Sequence, residues 1–377
     1  MRILWVPHAP WHVPQREKYL LTYLGRHHSV YSTDWDTDFR RLRDYASRRY
    51  WRSFFPAASK EDGITVYHIP RIGPALFSRG LRAFNSRVYQ EWIARVIERH
   101  HIDWLIASFV VPYVDFGIPT SIDIGDDNVA YWSESGGPQL YGREIAENEL
   151  AWIRESRGVT VVSSVLRERL QRRVGPSKPF TVIPNGVDLD VFQPPLDKGR
   201  VKADLDLNPH FRYMSCIGSF NRHGEIERLL AVARRIQPLS YVRLVVVGRG
   251  KYIPLLQKRL AQEGLTGVIF AGFQQGDKLL RYFQATDVGL CPYPLTYGLH
   301  ASSPLRLLQY SAVGAAVVIP PLQEVVRMRF GNVLLSGESD DSFADAALAS
   351  LDSPGGVPNN LGEYHWKRLA HRMEQCF

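Results

Sequence analysis

The residues Ser302–Ile319, SSPLRLLQYSAVGAAVVI, predict a helix that is followed by a buried strand. Either of the first two serines can supply the oxygen that caps the helix start, and Pro304 suits the first helical turn. Gly314 is well placed to end the helix. The short β-branched run Val317–Ile319 is typical of a strand that is covered on both faces. The apolar residues that recur at helical spacing are Leu305, Leu308 and Ala312.

The segment before this helix, Tyr293–Ala301, is irregular and delivers free backbone N–H groups to the helix start. Arg306 lies one turn inside the helix. Backbone N–H groups at a helix N-terminus, together with a cationic side chain, favour an anion such as a phosphate. The same residues are equally compatible with an ordinary capped helix of an α/β domain, so both hypotheses stay open at this point.

The chain has 377 residues, which is too long for one ordinary core and predicts two domains. Its hydrophobic content of 45% and charged content of 22% are those of a soluble globular protein. We find no apolar run of about 18 residues, so we expect no transmembrane helix. The apolar start is too short for a signal peptide and predicts a first strand at residues 2–6. Three widely separated cysteines favour a reducing, cytoplasmic location without a disulfide or zinc framework: Cys216, Cys291 and Cys376.

The formal net charge of +8 fits a phosphorylated ligand, an anionic membrane surface or nucleic acid. No nucleic-acid-binding motif accompanies it, so we expect a phosphate-bearing small ligand, with a membrane surface as a second partner. Residues 39–55 predict an amphipathic helix that is either interfacial, an acceptor-binding surface, or a solvated helix packed on its domain. A second stretch rich in basic and aromatic residues follows at 71–99. The arginines of the first stretch are Arg40, Arg41, Arg43, Arg48, Arg49 and Arg52.

The first 33 residues predict a strand, a helix and a second strand, and therefore a parallel sheet with a ligand crevice at its carboxyl edge. The loop at residues 7–14 lacks the G-x-G-x-x-G fingerprint of nicotinamide and flavin sites. His8, Trp11 and His12 occupy this loop, where they either contact a ligand or serve the structure. A later strand at 118–124 runs into Asp126 and Asp127, which could bind a metal, act as a base or cap the next turn.

A Pro-, Lys- and Asp-rich stretch at 193–208 predicts a linker, after which a second series of strands and helices begins. The loop Gly218–Gly224 follows the first strand of that series and suits a phosphate, with Arg222 as a contact. The predicted strands of this half are Tyr213–Ile217, Arg243–Val247, Val268–Ala271, Val288–Cys291 and Ala316–Ile319.

Three segments resemble the retaining GT-B glycosyltransferases of glycosyltransferase family 4. They are 181–192 (TVIPNGVDLDVF), 272–290 and 293–319, and the resemblance extends over most of residues 159–320. It implies an α/β GT-B fold, with two facing Rossmann-like domains and a nucleotide-sugar cleft between them. It further implies an acceptor-side domain at 1–184, a donor-binding domain at 185–360, and a helix at 361–377 that crosses back to the first domain.

The resemblance implies transfer of a sugar from a nucleoside-diphosphate sugar to an acceptor hydroxyl, with retention of configuration and without a metal or another cofactor. Arg306 takes the place of a lysine in the family motif, and Gln309 takes the place of a glutamate that binds the nucleotide ribose. His223 stands near the usual second phosphate-binding lysine. The implied catalytic residues are Asp127, Arg222 and Arg306; the implied donor-binding residues are Ser219, Asn221, Gly272, Phe273, Ser302, Ser303, Leu305 and Gln309; the implied acceptor-side residues are His8, Trp11, His12 and Asp126.

The expected acceptor is a carbohydrate or a lipid-linked sugar, which suits glycan or glycolipid synthesis at the inner face of a membrane. Because Gln309 and His223 depart from the family pattern, a non-catalytic subunit that binds nucleotide sugars is the alternative hypothesis. A sugar-nucleotide epimerase is a third hypothesis that the interdomain and donor-helix segments fit less well.

Overall fold

The computed structural model describes residues 1–8, 11, 16–34, 46, 51, 55, 57–69, 78–108, 111–353 and 355–377. These residues form two compact units, Met1–Pro184 with Trp366–Phe377 (unit 1) and Asn185–His365 (unit 2). Nowhere in the described ranges is a helix both long enough and apolar enough to cross a membrane. The amphipathic helix predicted at 39–55 falls almost entirely outside the described residues, and His12 does too.

Unit 1 is built on an eight-stranded sheet with the order β3-β4-β2-β1-β5-β6-β7-β8. All neighbouring strands are parallel except β3 and β4. The predicted parallel α/β fold is confirmed for this half. The strands are β1 (Arg2–Val6), β2 (Ser29–Asp34), β3 (Ala57–Glu61), β4 (Ile64–His68), β5 (Trp104–Ala107), β6 (Thr120–Ile124), β7 (Gly158–Val161) and β8 (Thr181–Val182). The helices are α1 (Arg16–Leu24), α2 (Arg79–His100), α3 (Asn128–Glu134), α4 (Gln139–Glu155) and α5 (Ser164–Val174).

The hairpin of β3 and β4 is an element that our sequence analysis did not predict. Asp62 and Gly63 connect its strands, with φ values of 50° and 81°. Two successive residues with positive φ form the tight turn that suits the twist of a hairpin, and Asp-Gly is a preferred pair for it. The Asp-Gly signal was therefore available in the sequence.

Unit 2 contains a six-stranded, fully parallel sheet with the order β11-β10-β9-β12-β13-β14. Its strands are β9 (Arg212–Ser219), β10 (Val242–Arg249), β11 (Val268–Gly272), β12 (Val288–Leu290), β13 (Ala316–Ile319) and β14 (Val333–Leu335). Its α-helices are α6 (Lys198–Ala203), α7 (His223–Ile236), α8 (Ile253–Gln262), α9 (Gly276–Ala285), α10 (Tyr297–His300), α11 (Leu305–Ala312), α12 (Gln323–Met328) and α13 (Asp340–Ala349). This strand order is that of a Rossmann-type sheet.

The core of unit 2 lies on both faces of its sheet, because successive side chains of a strand point to opposite faces. Along β9, Tyr213 and Ile217 belong to one apolar cluster, whereas Met214 and Cys216 belong to the other. Burial on two faces explains why the central strands are nearly continuous apolar runs.

The helix and strand predicted at Ser302–Ile319 are confirmed as α11 and β13, with one correction at the helix start. The N-cap residue is Pro304, which has no side chain that can form a capping hydrogen bond. Ser303 Oγ instead accepts a hydrogen bond from the Asn185 N–H at 3.2 Å, and Ser302 Oγ donates to the Leu299 carbonyl at 2.9 Å. Gly314 follows the helix with a φ of 74°, in the left-handed conformation that ends helices.

The predicted linker at 193–208 contains a helical turn that we did not expect. Asp197 caps α6 through a hydrogen bond from the Arg200 N–H to its Oδ1 atom, at 3.0 Å. The last helix of the chain, α14 (Trp366–Glu374), packs within unit 1. There, Trp366 stacks on Tyr19 with ring centroids 5.2 Å apart.

Candidate functional site

The strand order of unit 2 reverses between β9 and β12, so the loops that follow these two strands diverge at the carboxyl edge of the sheet. In α/β sheets of this kind, ligands bind in the crevice at such a reversal. Helix α11 begins beyond the loop that follows β12, and α7 begins at His223, just beyond the loop that follows β9. The segments that sequence analysis assigned to a phosphate therefore lie on the two sides of this point.

Arg306 is the central side chain of this site. It is only 8% exposed, although its charge is permanent. Its Nη1 atom lies 3.6 Å from Cys216 Sγ, and its guanidinium carbon lies 5.2 Å from the centroid of the Tyr293 ring. The described residues supply no oxygen atom as a hydrogen-bond acceptor for this guanidinium. A buried cation with so few partners is costly, and a bound anion would offset that cost.

Two glycines let the guanidinium and the neighbouring loops approach the backbone closely. A β-carbon on Gly218 would stand 2.4 Å from Arg306 Nη2, and one on Gly248 would stand 1.8 Å from the Gly218 carbonyl oxygen. The φ angles of Gly218 and Gly248 are 145° and 140°, which L side chains rarely adopt. Both positions therefore require glycine, for space as well as for conformation.

Glu225, in the first turn of α7, places a carboxyl group beside these cations. It is 1% exposed, its Oε1 atom lies 3.9 Å from Arg222 Nη1, and within the described part of the chain its Oε2 atom has no hydrogen-bond partner. Burial raises the pKa of the Glu225 carboxyl, against the opposing effect of Arg306 and Arg222. Glu225 was not predicted as a site residue, because a glutamate in the first turn of a helix ordinarily interacts only with the helix dipole.

Tyr310 and Arg228 fix the frame around the guanidinium. The Tyr310 hydroxyl accepts a hydrogen bond from the Ile217 N–H at 3.0 Å and donates one to the Ser215 carbonyl at 2.7 Å, which ties α11 to β9. Arg228 donates to the Tyr293 carbonyl at 2.6 Å and to the Glu338 carbonyl at 2.9 Å. The Arg228 contact fixes the backbone of Tyr293, whose ring lies over Arg306.

The predicted donor-binding residues occupy several environments in unit 2. Ser219 and Gly272 are exposed, and Phe273 is 49% exposed with the Arg249 guanidinium 4.4 Å from its ring centroid. The Asn221 Oδ1 atom accepts a hydrogen bond from the Lys251 N–H at 3.2 Å. Leu305 is the first residue of α11.

Gln309 lies on the second turn of α11 and is partly exposed, and no hydrogen bond to its side chain occurs within the described ranges. Arg222 is the N-cap residue of α7, and its side chain is 38% exposed. Ser303 is buried and is linked to Asn185, whose Nδ2 donates to the Ser303 carbonyl at 2.7 Å. The Asn185 Oδ1 atom is buried, and no described residue forms a hydrogen bond with it.

Unit 1 has its own strand-order reversal, between β1 and β5, and His8 lies just past β1 there. The His8 imidazole is paired with the carboxylate of Glu17, which is only 4% exposed. Burial lowers the pKa of His8, but Glu17, Asp126 and Asp123 outweigh it and raise this pKa to about 9. At neutral pH the ring is therefore a cation that carries both N–H donors.

A buried ion pair lies in the same unit as His8. Arg16 and Asp123 are 4% and 1% exposed and form two hydrogen bonds, at 2.9 and 2.8 Å. Thr160 Oγ1 donates to Asp123 at 2.6 Å, and Arg16 also donates to the Pro184 carbonyl at 2.9 Å. The pair thus joins α1, β6, β7 and Pro184, the last residue of the first segment of unit 1.

Asp127 and Trp11 have structural partners. Asp127 Oδ1 accepts from the Ala130 N–H at 3.1 Å and caps α3, while its Oδ2 pairs with Arg169 at 2.9 Å. Trp11 is 4% exposed and donates through Nε1 to Glu61 at 2.9 Å. Asp126 is exposed.

One group of possible metal ligands lies in unit 2, formed by Asp188, Asp190 and His365. Asp188 Oδ1 accepts a hydrogen bond from the Asp190 N–H at 3.0 Å, and Asp190 pairs with His365 at 3.7 Å. A turn and an ion pair account for these contacts, so the group carries no metal assignment.

Comparison with known proteins finds a family match within unit 2. Residues 212–353 match the family described as Glycosyl transferases group 1. A GDP-mannose-dependent alpha-(1-6)-phosphatidylinositol monomannoside mannosyltransferase of Mycobacterium tuberculosis is 27% identical over 203 residues, which cover 51% of this chain and 52% of the relative. The chain thus spans about half the length of the curated relatives it matches.

Solved structures of GT-B proteins share the fold along the whole chain. Sucrose-phosphate synthase from Thermosynechococcus elongatus has a TM-score of 0.74 at 16% identity and covers 100% of this chain, with 98% of its own length. HepE of Anabaena, solved with UDP and glucose, has a TM-score of 0.68 at 15% identity, with the same coverage. These likenesses confirm the predicted GT-B type of fold.

Proposed function

Because residues 212–353 match the group 1 glycosyltransferase family and the chain has a GT-B type of fold, we propose that the protein transfers a sugar from a nucleoside-diphosphate sugar to an acceptor hydroxyl, with retention of configuration. Unit 2 binds the donor and unit 1 binds the acceptor. The acceptor is a lipid-linked sugar, which agrees with the phosphatidylinositol mannoside that the mycobacterial relative is named for.

The observation that carries the proposal is the guanidinium of Arg306, which is buried without an oxygen acceptor among the described residues, at the strand-order reversal of unit 2. A diphosphate supplies the missing acceptors and the missing negative charge. Hydrogen bonds between a guanidinium and a phosphate are short and strong, because both partners are charged. The N–H groups at the start of α11 add further donors to the same anion.

During transfer, the bond between the sugar C1 and the diphosphate oxygen breaks, and negative charge develops on the leaving diphosphate. Arg306 and the helix N–H groups stabilise that charge where it forms. The acceptor oxygen forms the new bond to C1 on the face that the diphosphate leaves, and its proton passes to a diphosphate oxygen. The electron pair of the broken bond thus stays on the leaving group.

In unit 1, His8 and Asp126 are the groups that we assign to the acceptor. The cationic His8 ring donates hydrogen bonds to acceptor oxygens, and Glu17 holds its orientation. Asp127 acts through its cap and its pair with Arg169, so we assign it a positioning role.

A donor screen tests the proposal. Thermal-shift titrations with UDP-, GDP- and dTDP-sugars should identify one donor that raises the melting temperature, and turnover should follow with a lipid-linked acceptor. Arg306→Gln should abolish both effects. Arg259→Gln is the matched control, because Arg259 pairs with Glu227 on the outside of unit 2 and should leave both effects unchanged.

Binding without turnover would instead support a non-catalytic subunit that binds nucleotide sugars, which the glutamine at 309 favours. Donor binding that survives Arg306→Gln would contradict the assigned diphosphate site.

We also propose that the protein works at the cytoplasmic face of an anionic membrane, as its formal net charge of +8 favours. Replacing Arg48, Arg49 and Arg52 by glutamine should release it from vesicles that contain anionic lipid. Absence of wild-type binding to such vesicles would remove this part of the proposal.

A further inference from the structure

A polar cavity, which we call the basal pocket, lies in unit 2 at the amino edge of its sheet. It has a volume of about 610 Å³, and its lining includes Lys198, Arg212, Asp287 and residues 351–353 and 355–357. Arg212 is the first residue of β9, and Asp287 immediately precedes β12. The donor site around Arg306 lies at the opposite, carboxyl edge of the same strands.

Three cations converge on the single carboxylate of Asp287. Lys202 Nζ lies 2.9 Å from Oδ2, Lys198 Nζ lies 3.4 Å from Oδ1, and Arg212 Nε lies 3.9 Å from Oδ2. Asp287 Oδ2 also accepts a hydrogen bond from the Tyr213 N–H at 2.9 Å. One negative charge therefore faces three positive charges, and Lys202 makes the shortest contact with it.

Arg212 has donors without acceptors. Its Nη2 donates to the Leu351 carbonyl at 2.9 Å, but its Nε is buried and has no hydrogen-bond partner among the described residues. The 3.9 Å to Asp287 is too long for a hydrogen bond. The Arg212 side chain as a whole is 43% exposed, so an oxyanion in the pocket can reach its guanidinium and supply acceptors for it.

Lys198 points to the same kind of ligand. Its Nζ donates to the Thr286 carbonyl at 3.0 Å, and its contact with Asp287 is long. Burial lowers the pKa of Lys198, and Lys202 and Arg212 lower it further against the effect of Asp287. A second anion close to Lys198 would favour its charged form.

We propose that the basal pocket binds a phosphate group, either free or carried by a small phosphate ester, through Arg212 and Lys198. The three cations around the single carboxylate of Asp287 leave an excess of two positive charges, which matches the charge of a phosphate dianion, and the cavity has room for a small ester. Asp352 is the one further carboxylate of the described lining, and it stands exposed at the rim. It opposes an anion there, so its removal should strengthen binding.

The proposal does not depend on the proposed transferase activity. Crystals of the full chain soaked in tungstate should show an anomalous peak within hydrogen-bond distance of Arg212. Titration calorimetry of the Arg306→Gln protein, whose donor site is disabled, should detect binding of inorganic phosphate. In that protein, Arg212→Gln should weaken phosphate binding at least about tenfold, and Asp352→Asn should tighten it.

Arg243→Gln is the matched control, because Arg243 donates to the Ser240 and Val242 carbonyls and does not line the pocket. It should leave phosphate binding unchanged. Comparison of inorganic phosphate with glycerol phosphate and a hexose phosphate distinguishes a free anion from an ester.

Tungstate that is found only beside Arg306, or phosphate affinity that is equal with and without Arg212→Gln, would overturn the proposal. If Arg212→Gln does not fold, Arg212→Lys keeps the charge and removes the fork of donors, and weaker binding is still expected. The tungstate soak uses the unchanged chain and does not depend on any variant.

Discussion

The guanidinium of Arg306 lies directly against the α-carbon of Gly218, so that a β-carbon at position 218 would stand only 2.4 Å from Nη2. Position 218, the penultimate residue of β9, therefore holds a glycine that leaves room for a side chain 88 residues later in the chain. This contact joins the end of β9 to helix α11, and both lie in segments whose sequence predicts a phosphate site.

Gly218→Ala should displace the guanidinium and weaken binding of the donor nucleotide. We expect a loss of about 10- to 100-fold in affinity, which is the range for hydrogen bonds to a charged group. Calorimetric titration with the nucleoside diphosphate measures it. Gly331→Ala is the control, because nothing lies within 4 Å of a β-carbon there. Unchanged affinity in Gly218→Ala would show that Arg306 does not contact the diphosphate.

Glu225→Gln tests the electrostatics of the same site. Because burial raises the pKa of Glu225 in the folded protein, the protonated form favours folding, and this stability is lost as pH rises through the folded pKa. Glutamine mimics the protonated form at every pH. We therefore expect a higher melting temperature for the variant at pH 7, and a difference that shrinks towards pH 4.

Nucleoside diphosphate should also bind Glu225→Gln more tightly at pH 7, because a nearby negative charge is removed. Glu227→Gln is the control, since Glu227 faces Arg259 and His223 on the outside of the same helix. A melting temperature that falls at pH 7 in Glu225→Gln would contradict the assigned pKa direction.

The pair of His8 and Glu17 gives unit 1 a second pH dependence of the same sign. The pKa of His8 is raised to about 9 from an ordinary value near 6.5, so its contribution to stability is complete below about pH 6.5 and is lost as pH rises through about 9. Glu17, whose pKa is lowered, loses its own contribution only in acid.

Thermal melts of the wild type and of Glu17→Gln between pH 5.5 and 10 test this pair. The gap between the two melting temperatures should be widest near pH 6 and should close above pH 9. Glu61→Gln is the control for a more exposed carboxylate of the same unit. A gap that stays constant across this range would rule out a charged His8.

The periodic and apolar parts of the fold were predictable from the sequence. Strands such as Ala316–Ile319 are buried on both faces, and their β-branched runs are visible without a structure. The helix at Leu305–Ala312 was predicted. The prediction that a serine caps it was wrong, because Ser303 is hydrogen-bonded to Asn185, a residue 118 positions away. Long-range partners of this kind leave no local signal.

The same limit applied to the candidate site. Arg306 was predicted from its place in a motif, whereas Glu225 and Tyr310 were not, because their contacts depend on how β9, α7 and α11 pack. Trp11 lies in a loop where a ligand contact was expected, yet Glu61 and Asp34 occupy its donors. The hairpin that supplies Glu61 was itself not predicted.

Asp127 was predicted to be catalytic. Its two structural contacts allow a catalytic role to be tested separately from its role in stabilising the fold. Asp127→Asn keeps an oxygen that can cap α3 and removes the charge that pairs with Arg169. Arg169→Gln removes the same ion pair and leaves the carboxylate in place. If Asp127 is a positioning residue, the two variants should lose similar amounts of activity in a transfer assay. A much larger loss in Asp127→Asn would assign the carboxylate to the chemistry.

Gln309→Glu tests the assignment of α11 to the nucleotide. Gln309 lies one turn beyond Arg306, on the second turn of this helix, and its side chain has no hydrogen-bond partner in the part of the chain that the structure describes. A carboxylate accepts hydrogen bonds from ribose hydroxyls more strongly than an amide does, because it is charged. Glutamate at this position should therefore tighten binding of the intact nucleotide several-fold and leave binding of inorganic diphosphate unchanged. That contrast separates a ribose contact from a general change in charge, since a general change would weaken diphosphate binding as well. If Gln309→Glu and the unchanged protein bind the nucleotide with equal affinity, residue 309 does not contact the ribose, and α11 contacts only the phosphates.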